Sequence, residues 1–487
     1  MKYENPVLRG FYPDPSVCFV DGVYYMVCSS FHYFPGVPLF ESRDLVNWTQ
    51  IGHVLTRPSQ IALADARSSG GVFAATIRYN NGRFYMTTTN TTTNQNFYVW
   101  TDDIRGQWSD PVYVEQDGID PSLYFEGDKC FFTGTGLDDF GENGIIQSQI
   151  DITTGKKLTK SRCIWKGTGG RFVEGPHIYK IGDWYYLLAS EGGTEYGHML
   201  TLARARDIWG PYESCPHNPI LTNRNRAPFT IQAIGHGELL TGPDGNLYMV
   251  TLGIRQISIW MPFHHLGREV FLTPAYQTQD GWFTCGTDGT TVESYDVPLP
   301  GSQQRKQKWT FENTRWDTDW CFLRHPDPAC YDLQQDRAIL HGTEVSLNEA
   351  ASPTFVGLRQ RDFCGTVTCK VQLDGGLAGL STYMTEQEHY DLGIRAGEQG
   401  YEAFLRLCIG ESNCVAKTLP LADDHVQLEI RMEEQRYHFY ADGVYLGSAQ
   451  TKYLSSEVAT GFTGVMLGLW AEGKNTAQFT GFECTYT

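Results

Sequence analysis

Asp21-Gly22-Val23-Tyr24-Tyr25-Met26 sets a tight polar–glycine turn before an aromatic strand, and the phrase returns four times. The other copies are Asn81-Gly82-Arg83-Phe84-Tyr85-Met86, Gly127-Asp128-Lys129-Cys130-Phe131-Phe132, Gly182-Asp183-Trp184-Tyr185-Tyr186-Leu187 and Asp244-Gly245-Asn246-Leu247-Tyr248-Met249. Such turns supply the positive φ that a two-residue hairpin needs, and aromatic runs suit a half-buried pleated surface. With Tyr25, Tyr85, Phe131, Tyr186 and Tyr248 as equivalent anchors the intervals are 60, 46, 55 and 62 residues. That is too irregular for a solenoid but suits four-stranded blades with variable loops. The fold expected for residues 1–297 is a five-bladed β-propeller.

Outward from the repeats, Asp296-Val297-Pro298-Leu299-Pro300-Gly301-Ser302 leads into a polar, basic stretch, and residues 298–308 read as a linker. Beyond it, residues 366–373 and 426–432 alternate apolar and polar with period two, and Tyr437-His438-Phe439-Tyr440 runs into an Asp442-Gly443 turn. Strands with one solvated face are typical of antiparallel sheets packed face to face. Residues 309–487 are therefore expected to form an antiparallel β-sandwich, and the whole chain is all-β.

The 487 residues include 38 basic and 56 acidic side chains, for a net charge of −18, with no basic run long enough to track phosphates. Nucleic acid is excluded as a partner on that ground, and anionic lipid is repelled, while a neutral sugar is indifferent to the field. The start, Met1-Lys2-Tyr3-Glu4-Asn5-Pro6, has no apolar core of a signal peptide, and no stretch is apolar enough to span a bilayer. The expectation is a cytoplasmic protein without a membrane partner, and homo-oligomerisation is left open. Thirteen cysteines, an odd number without a C-x-x-C pair, fit reduced thiols buried in strands such as those of Cys18, Cys28, Cys130 and Cys369.

In a propeller the innermost strand of each blade immediately precedes the anchored one, so residues at one fixed upstream distance should gather around the axis. Asp14 and Asp120 lie 11 residues before their anchors, and Glu174 and His236 lie 12 before theirs; the second copy has Phe73 and Ala74 there. The acids sit in Pro13-Asp14-Pro15, Asp120-Pro121 and Glu174-Gly175-Pro176. A residue before proline favours extended backbone, which is the geometry expected where a strand starts and aims its side chain inward. Three convergent carboxylates can hydrolyse a glycosidic bond: one protonates the leaving oxygen, one activates water, and a third raises the donor's pKa by like-charge repulsion. Clustered acids also bind hard cations, but the chain has no D-x-D-x-D-G loop; nor has it the H-E-x-x-H, G-x-S-x-G or P-loop patterns.

Phe11-Tyr12-Pro13-Asp14-Pro15-Ser16, Gly118-Ile119-Asp120-Pro121-Ser122-Leu123 and Glu174-Gly175-Pro176-His177-Ile178-Tyr179 resemble the signatures of glycoside hydrolase family 43. The segments around Glu191-Gly192-Gly193-Thr194, Gly235-His236-Gly237-Glu238, Leu266-Gly267-Arg268-Glu269 and Gly461-Phe462-Thr463-Gly464 are similar to further segments of its β-xylosidase / α-L-arabinofuranosidase branch. The resemblance implies a concanavalin-like sandwich and an inverting exo-glycosidase that removes terminal β-D-xylose or α-L-arabinofuranose from xylo- or arabinoxylo-oligosaccharides. It implies Asp14 as general base, Glu174 as general acid and Asp120 as the residue that tunes the acid. It also places Arg268 on sugar hydroxyls, and Phe31 and Phe73 in the pocket wall. Phe462 reads equally as a rim residue reaching over from the sandwich or as sandwich core. His236 reads either as a satisfied core histidine or as a polar group at the channel centre, holding a structural Ca²⁺ through water; no cofactor is required for the chemistry. Phe73-Ala74-Ala75 departs from the aromatic-Ala-Pro triplet of many relatives, at a position that bears on pentose preference. The reading from another class is a non-catalytic carbohydrate-binding propeller and sandwich.

Overall fold

Each polar–glycine turn opens onto the second strand of a four-stranded antiparallel sheet in the computed structural model, which describes residues 2–397 and 400–487. The five sheets are blades whose first strands are Ser16–Val20, Thr76–Asn80, Ile119–Glu126, Glu174–Ile181 and Ile231–Thr241. The ring is closed by the chain's own start. Lys2–Glu4 pairs with Ser294–Asp296, and the Val7 N–H donates to the Val270 carbonyl at 2.8 Å. The Asn5 side chain acts as a strand surrogate on blade five, donating to the Leu272 carbonyl and accepting from the Leu272 N–H, both at 2.9 Å.

The channel between the first strands is filled by an ion pair. Arg78 of blade two meets both oxygens of Glu238 of blade five at 3.0 Å, and places Nη2 2.9 Å from His177 Nδ1 of blade four. Tyr179 Oη and Ser16 Oγ also donate to Glu238, at 2.7 and 2.8 Å. Four of the five blades thus meet in one buried network. Beyond it, at the mouth away from the acids, lies a cavity of about 570 Å³ lined by Cys18, Tyr124 and Tyr179 among others.

Gly365–Leu373 and His425–Glu433 pair with each other, and their alternate residues Val367, Cys369, Val371, Val426, Leu428 and Ile430 enter the core between two eight-stranded antiparallel sheets. The second sheet takes its edge strand, Tyr33–Phe34, from within the propeller's sequence. Arg324, wholly buried, locks that joint: its backbone N–H donates to the His32 carbonyl at 2.8 Å, its Nε donates to the Ala66 carbonyl, and its Nη2 pairs with Glu386. The segment from Pro298 onward is also fastened to the propeller, with Leu299 in a propeller core and Ser302 Oγ accepting from the Glu4 N–H. Among the described residues, no helix is long and apolar enough to cross a membrane.

The extended backbone expected of the residues before proline is not what is found: Asp14 has φ 55°, Asp120 φ 53° and Gly175 φ 59°. At Asp120 and Gly175 the cause lies in the ladders, whereas Asp14 lies ahead of its strand. Ile119 pairs with Thr135 and Ser122 with Thr133, so Asp120 and Pro121 face the single residue Gly134; Gly175 and Pro176 face the single residue Ala189 in the same way. Proline has no N–H to give the ladder, and the two-for-one bulge that results turns the chain inward.

Replacing Arg78 by Met would leave Glu238 buried without its cation, a change that costs about 3–5 kcal/mol in comparable sites. Urea denaturation of Arg78→Met should show a loss of that size at pH 7. The loss should shrink toward pH 4, because the unpaired Glu238 then folds protonated, and Arg78→Met/Glu238→Leu should recover much of it. A single variant as stable as the wild type would show that the network is dispensable.

Candidate active site

Two bulges, at Asp120-Pro121 and Gly175-Pro176, and the turn of chain just ahead of Ser16–Val20 that carries Asp14 bring three carboxylates to one mouth of the channel. Asp14 is buried, accepts from Ser29 Oγ at 2.5 Å and from Arg268 Nη1 at 3.1 Å, and lies 3.6 Å from His236 Nδ1. Burial alone would raise its pKa, but Arg268, His236 and the Ser29 hydroxyl bring it below the ordinary carboxylate value. Asp120, also buried, is pushed up to about 6 by desolvation, with the Asp14 charge adding and His236 and the Gly175 N–H opposing. Glu174 keeps 18% of its side chain exposed, yet burial and the charges of Asp120 and Asp14 hold its pKa well above the usual range. Close carboxylates cannot all ionise, so Asp120 and Glu174 share a proton that resides chiefly on Glu174.

His236 is the extra residue of a second bulge in blade five, where Gly235 pairs with Leu252 and Gly237 with Thr251. Its N–H donates to Ser190 Oγ at 2.7 Å, and its ring lies directly over Gly175. The surroundings do not fit a directly ligated hard cation. Ca²⁺ takes six to eight oxygens, whereas this position offers an imidazole nitrogen beside an Asp14 oxygen already held by Arg268. Among the described residues, the one cluster with three ligand atoms near enough for a shared ion is His389, Asp391 and Cys408 in the sandwich. There Asp391 is already bound to Arg406 at 2.7 Å and to His389 at 2.9 Å.

The wall combines both domains. Arg268 Nη1 also donates to Thr194 Oγ1 at 2.9 Å, and Nη2 donates to the Phe462 carbonyl at 3.1 Å. The Phe462 N–H donates to Ser69 Oγ at 2.8 Å, so the loop that precedes the sandwich strand Met466–Glu472 is pinned on two sides of the opening. The rings of Phe31, Phe73 and Phe462 stand 5.3 to 6.0 Å apart. Phe462 is 38% exposed and Phe73 partly so, whereas Phe31 is buried behind them. Every residue singled out from the sequence thus lies at this one mouth. Arg78, His177, Glu238 and His198 are polar groups of the channel and site that the fixed-offset reading passed over; the first three sit deeper along the first strands, and His198 lies on a loop with no counterpart in the repeat.

An ionised carboxylate, a protonated one nearby and a third that keeps the proton in place, opposite an aromatic and guanidinium wall, form a general acid–base site for a neutral polyol. The comparisons agree with that chemistry. Residues 3–283 match the profile of "Glycosyl hydrolases family 43", and residues 308–485 match "Beta xylosidase C-terminal Concanavalin A-like domain". A "Non-reducing end alpha-L-arabinofuranosidase BoGH43B" of Bacteroides ovatus is 37% identical over 98% of this chain and 92% of its own. A "Beta-xylosidase" of Bacillus subtilis is 36% identical over 96% of each chain. The solved structure "Bacteroides ovatus Xyloglucan PUL GH43B" superposes over the whole of both chains with a TM-score of 0.93 at 35% identity.

Gly175 carries both a positive φ and the His236 ring, which a Cβ would meet at 2.9 Å. Gly175→Ala should therefore lower stability by about 1–3 kcal/mol in denaturation and swing His236 off the axis in a crystal structure. An undisturbed His236 in that variant would refute the packing argument.

Proposed function

The chain belongs to glycosyl hydrolase family 43, and from that premise we propose that Asp14, Asp120 and Glu174 are the machinery of an inverting exo-glycosidase that releases one terminal pentose. The observation that carries the reading is the opposed shift of two acids in one pocket, buried Asp14 held low by Arg268 and partly exposed Glu174 held high by desolvation and its carboxylate neighbours. Asp14 takes a proton from a water as that water's oxygen bonds to the anomeric carbon. Glu174 gives its proton to the glycosidic oxygen as the carbon–oxygen bond breaks, and the pentose leaves with its anomeric configuration inverted. Such a displacement needs the two carboxyls about 6.5–9.5 Å apart, with room for the water. Asp120 tunes and orients the acid, and Arg268, Phe73 and Phe462 hold the sugar, with Phe31 behind them.

The exo character follows from the closed inner end. Arg78 and Glu238 fill the channel behind the acids, and the Phe462 loop narrows the mouth, so a chain end enters and a chain middle has no way through. The substrate class is a terminal β-D-xylose or α-L-arabinofuranose on short xylo- or arabinoxylo-oligosaccharides, as the names of the relatives suggest. A cytoplasmic address belongs to the same proposal and is supported by the thirteen cysteines, all unpaired.

Glu174→Ala should lose about 10²–10⁴-fold in kcat/KM on a xylo-oligosaccharide but far less on an aryl pentoside whose leaving group needs no proton. Equal loss on both would remove Glu174 from the acid role. The wild-type rate should trace a bell in pH: activity falls on the acid side as Asp14 protonates and on the alkaline side as Glu174 ionises. Arg268 lowers both of those pKa values, so Arg268→Met should carry the whole bell to higher pH. A bell that stays in place while KM rises would confine Arg268 to sugar binding.

A further inference from the structure

His198 is fully buried in the loop before the third strand of blade four, with its backbone N–H on the Glu195 carbonyl at 2.9 Å and its carbonyl accepting from Thr222 Oγ1 at 2.7 Å. Its Nδ1 lies 3.2 Å from the Ala233 carbonyl, which can only accept, so Nδ1 carries the ring proton. Nε2 is then a bare lone pair. It has no hydrogen-bond partner among the described residues, and it stands 3.8 Å from Glu174 Oε1. The ring cannot turn away, because it lies against Gly235 so closely that a Cβ there would come within 2.3 Å of Nδ1.

Resting on the reading of Glu174 as the general acid, we propose that His198 is a positioning residue for the acid's proton: the protonated Glu174 carboxyl donates its O–H to the Nε2 lone pair. A protonated Glu174 brings a donor to a buried acceptor that otherwise has none, whereas an ionised Glu174 brings only lone pairs to face it. The contact therefore discriminates between the two forms of the acid and favours the one the reaction needs. The other charged groups in reach are Asp120, Asp14 and Arg268 around Glu174, and His236, Arg268 and Asp14 around His198. Burial keeps the His198 pKa down at about 3, with His236 adding, so the ring gives up no proton of its own during turnover. A torsion of the Glu174 carboxyl closes the remaining gap; catalytic hydrogen bonds are commonly long before substrate binds. When a glycosidic oxygen enters, it competes with Nε2 for the proton and takes it as negative charge develops there, and His198 ends the step unchanged.

Two substitutions separate the roles of the ring nitrogens. His198→Asn keeps an N–H at the δ position for the Ala233 carbonyl but ends short of Glu174, while His198→Gln reaches it with an amide oxygen. The alkaline limb of kcat/KM on a xylo-oligosaccharide should fall by about one pH unit in His198→Asn, return toward wild type in His198→Gln, and leave the acid limb of Asp14 where it was. Both limbs of His198→Asn at their wild-type positions would overturn the proposal. Should His198→Asn fail to fold, neutron diffraction from wild-type crystals near neutral pH decides: deuterium on Glu174 facing a bare Nε2 supports it, and deuterium on Nε2 ends it. Absence of wild-type turnover on every pentoside would defeat the functional reading instead, and the neutron result would still stand by itself.

Discussion

One guanidinium makes this site possible. Three carboxylates drawn to one channel mouth repel one another, and burial deprives them of the water that would soften the repulsion. Arg268 answers the problem on three sides at once, touching Asp14 of blade one, Thr194 on a loop of blade four and the Phe462 carbonyl of the sandwich. Its charge lets Asp14 remain ionised although buried, and its geometry joins two blades and the second domain around the opening. Remove the sandwich and the Nη2 donor loses its acceptor, Ser69 loses the Phe462 N–H, and the pocket loses its most exposed aromatic wall. The accessory domain is in that sense part of the candidate active site.

The strands supply the second constraint. A regular ladder would leave the acids on the sheet's own alternation, with side chains standing to either face of the blade. The two-for-one bulges at Asp120-Pro121 and Gly175-Pro176 break that alternation where the strands begin. A positive φ at a non-glycine residue costs of order 1–3 kcal/mol, so these conformations persist only where the surroundings over-determine them: the bulged ladder at Asp120, and the Ser29 and Arg268 contacts at Asp14. In blade four the strained position falls to Gly175, which leaves Glu174 one residue earlier in the chain and allows the His236 ring to pack where a side chain would have been.

The blades were legible from the five turn-and-aromatic phrases because local turn chemistry and strand propensity agree there. The acids were legible because a repeat converts sequence offset into position around an axis. The backbone at those acids was not: the preference of a residue before proline for extended geometry was overridden by the bulge, a property of two paired strands that no single segment encodes. The channel network escaped because the offset argument stopped at the mouth. Inward positions recur at every second residue, and following Thr76 to Arg78, or His236 to Glu238, would have reached it, although the bulge after Glu174 hides His177 from the same count. His198 had no such signal, since it lies on a variable loop and is brought to Glu174 by the tertiary packing of its ring on Gly235. The capture of Tyr33–Phe34 by the sandwich was hidden for the same reason: two short segments hundreds of residues apart carry too little pattern to announce their pairing.

The division of one proton between Asp120 and Glu174 shows how small differences in surroundings assign chemical roles. Both are carboxyls in the same cavity, and desolvation presses both toward the neutral form. Asp120 is offered the Gly175 N–H and the His236 imidazole, each of which favours its ionised state. Glu174 has the charges of Asp120 and Asp14 against it and Arg268 alone in its favour, so its ionised form is the more costly of the two. The proton therefore settles on the residue with the poorer hydrogen-bond donors, which is also the residue partly open to the pocket. Had Glu174 received the backbone N–H and Asp120 been left without it, the same three acids would hold the proton on the buried carboxyl, out of reach of a leaving oxygen.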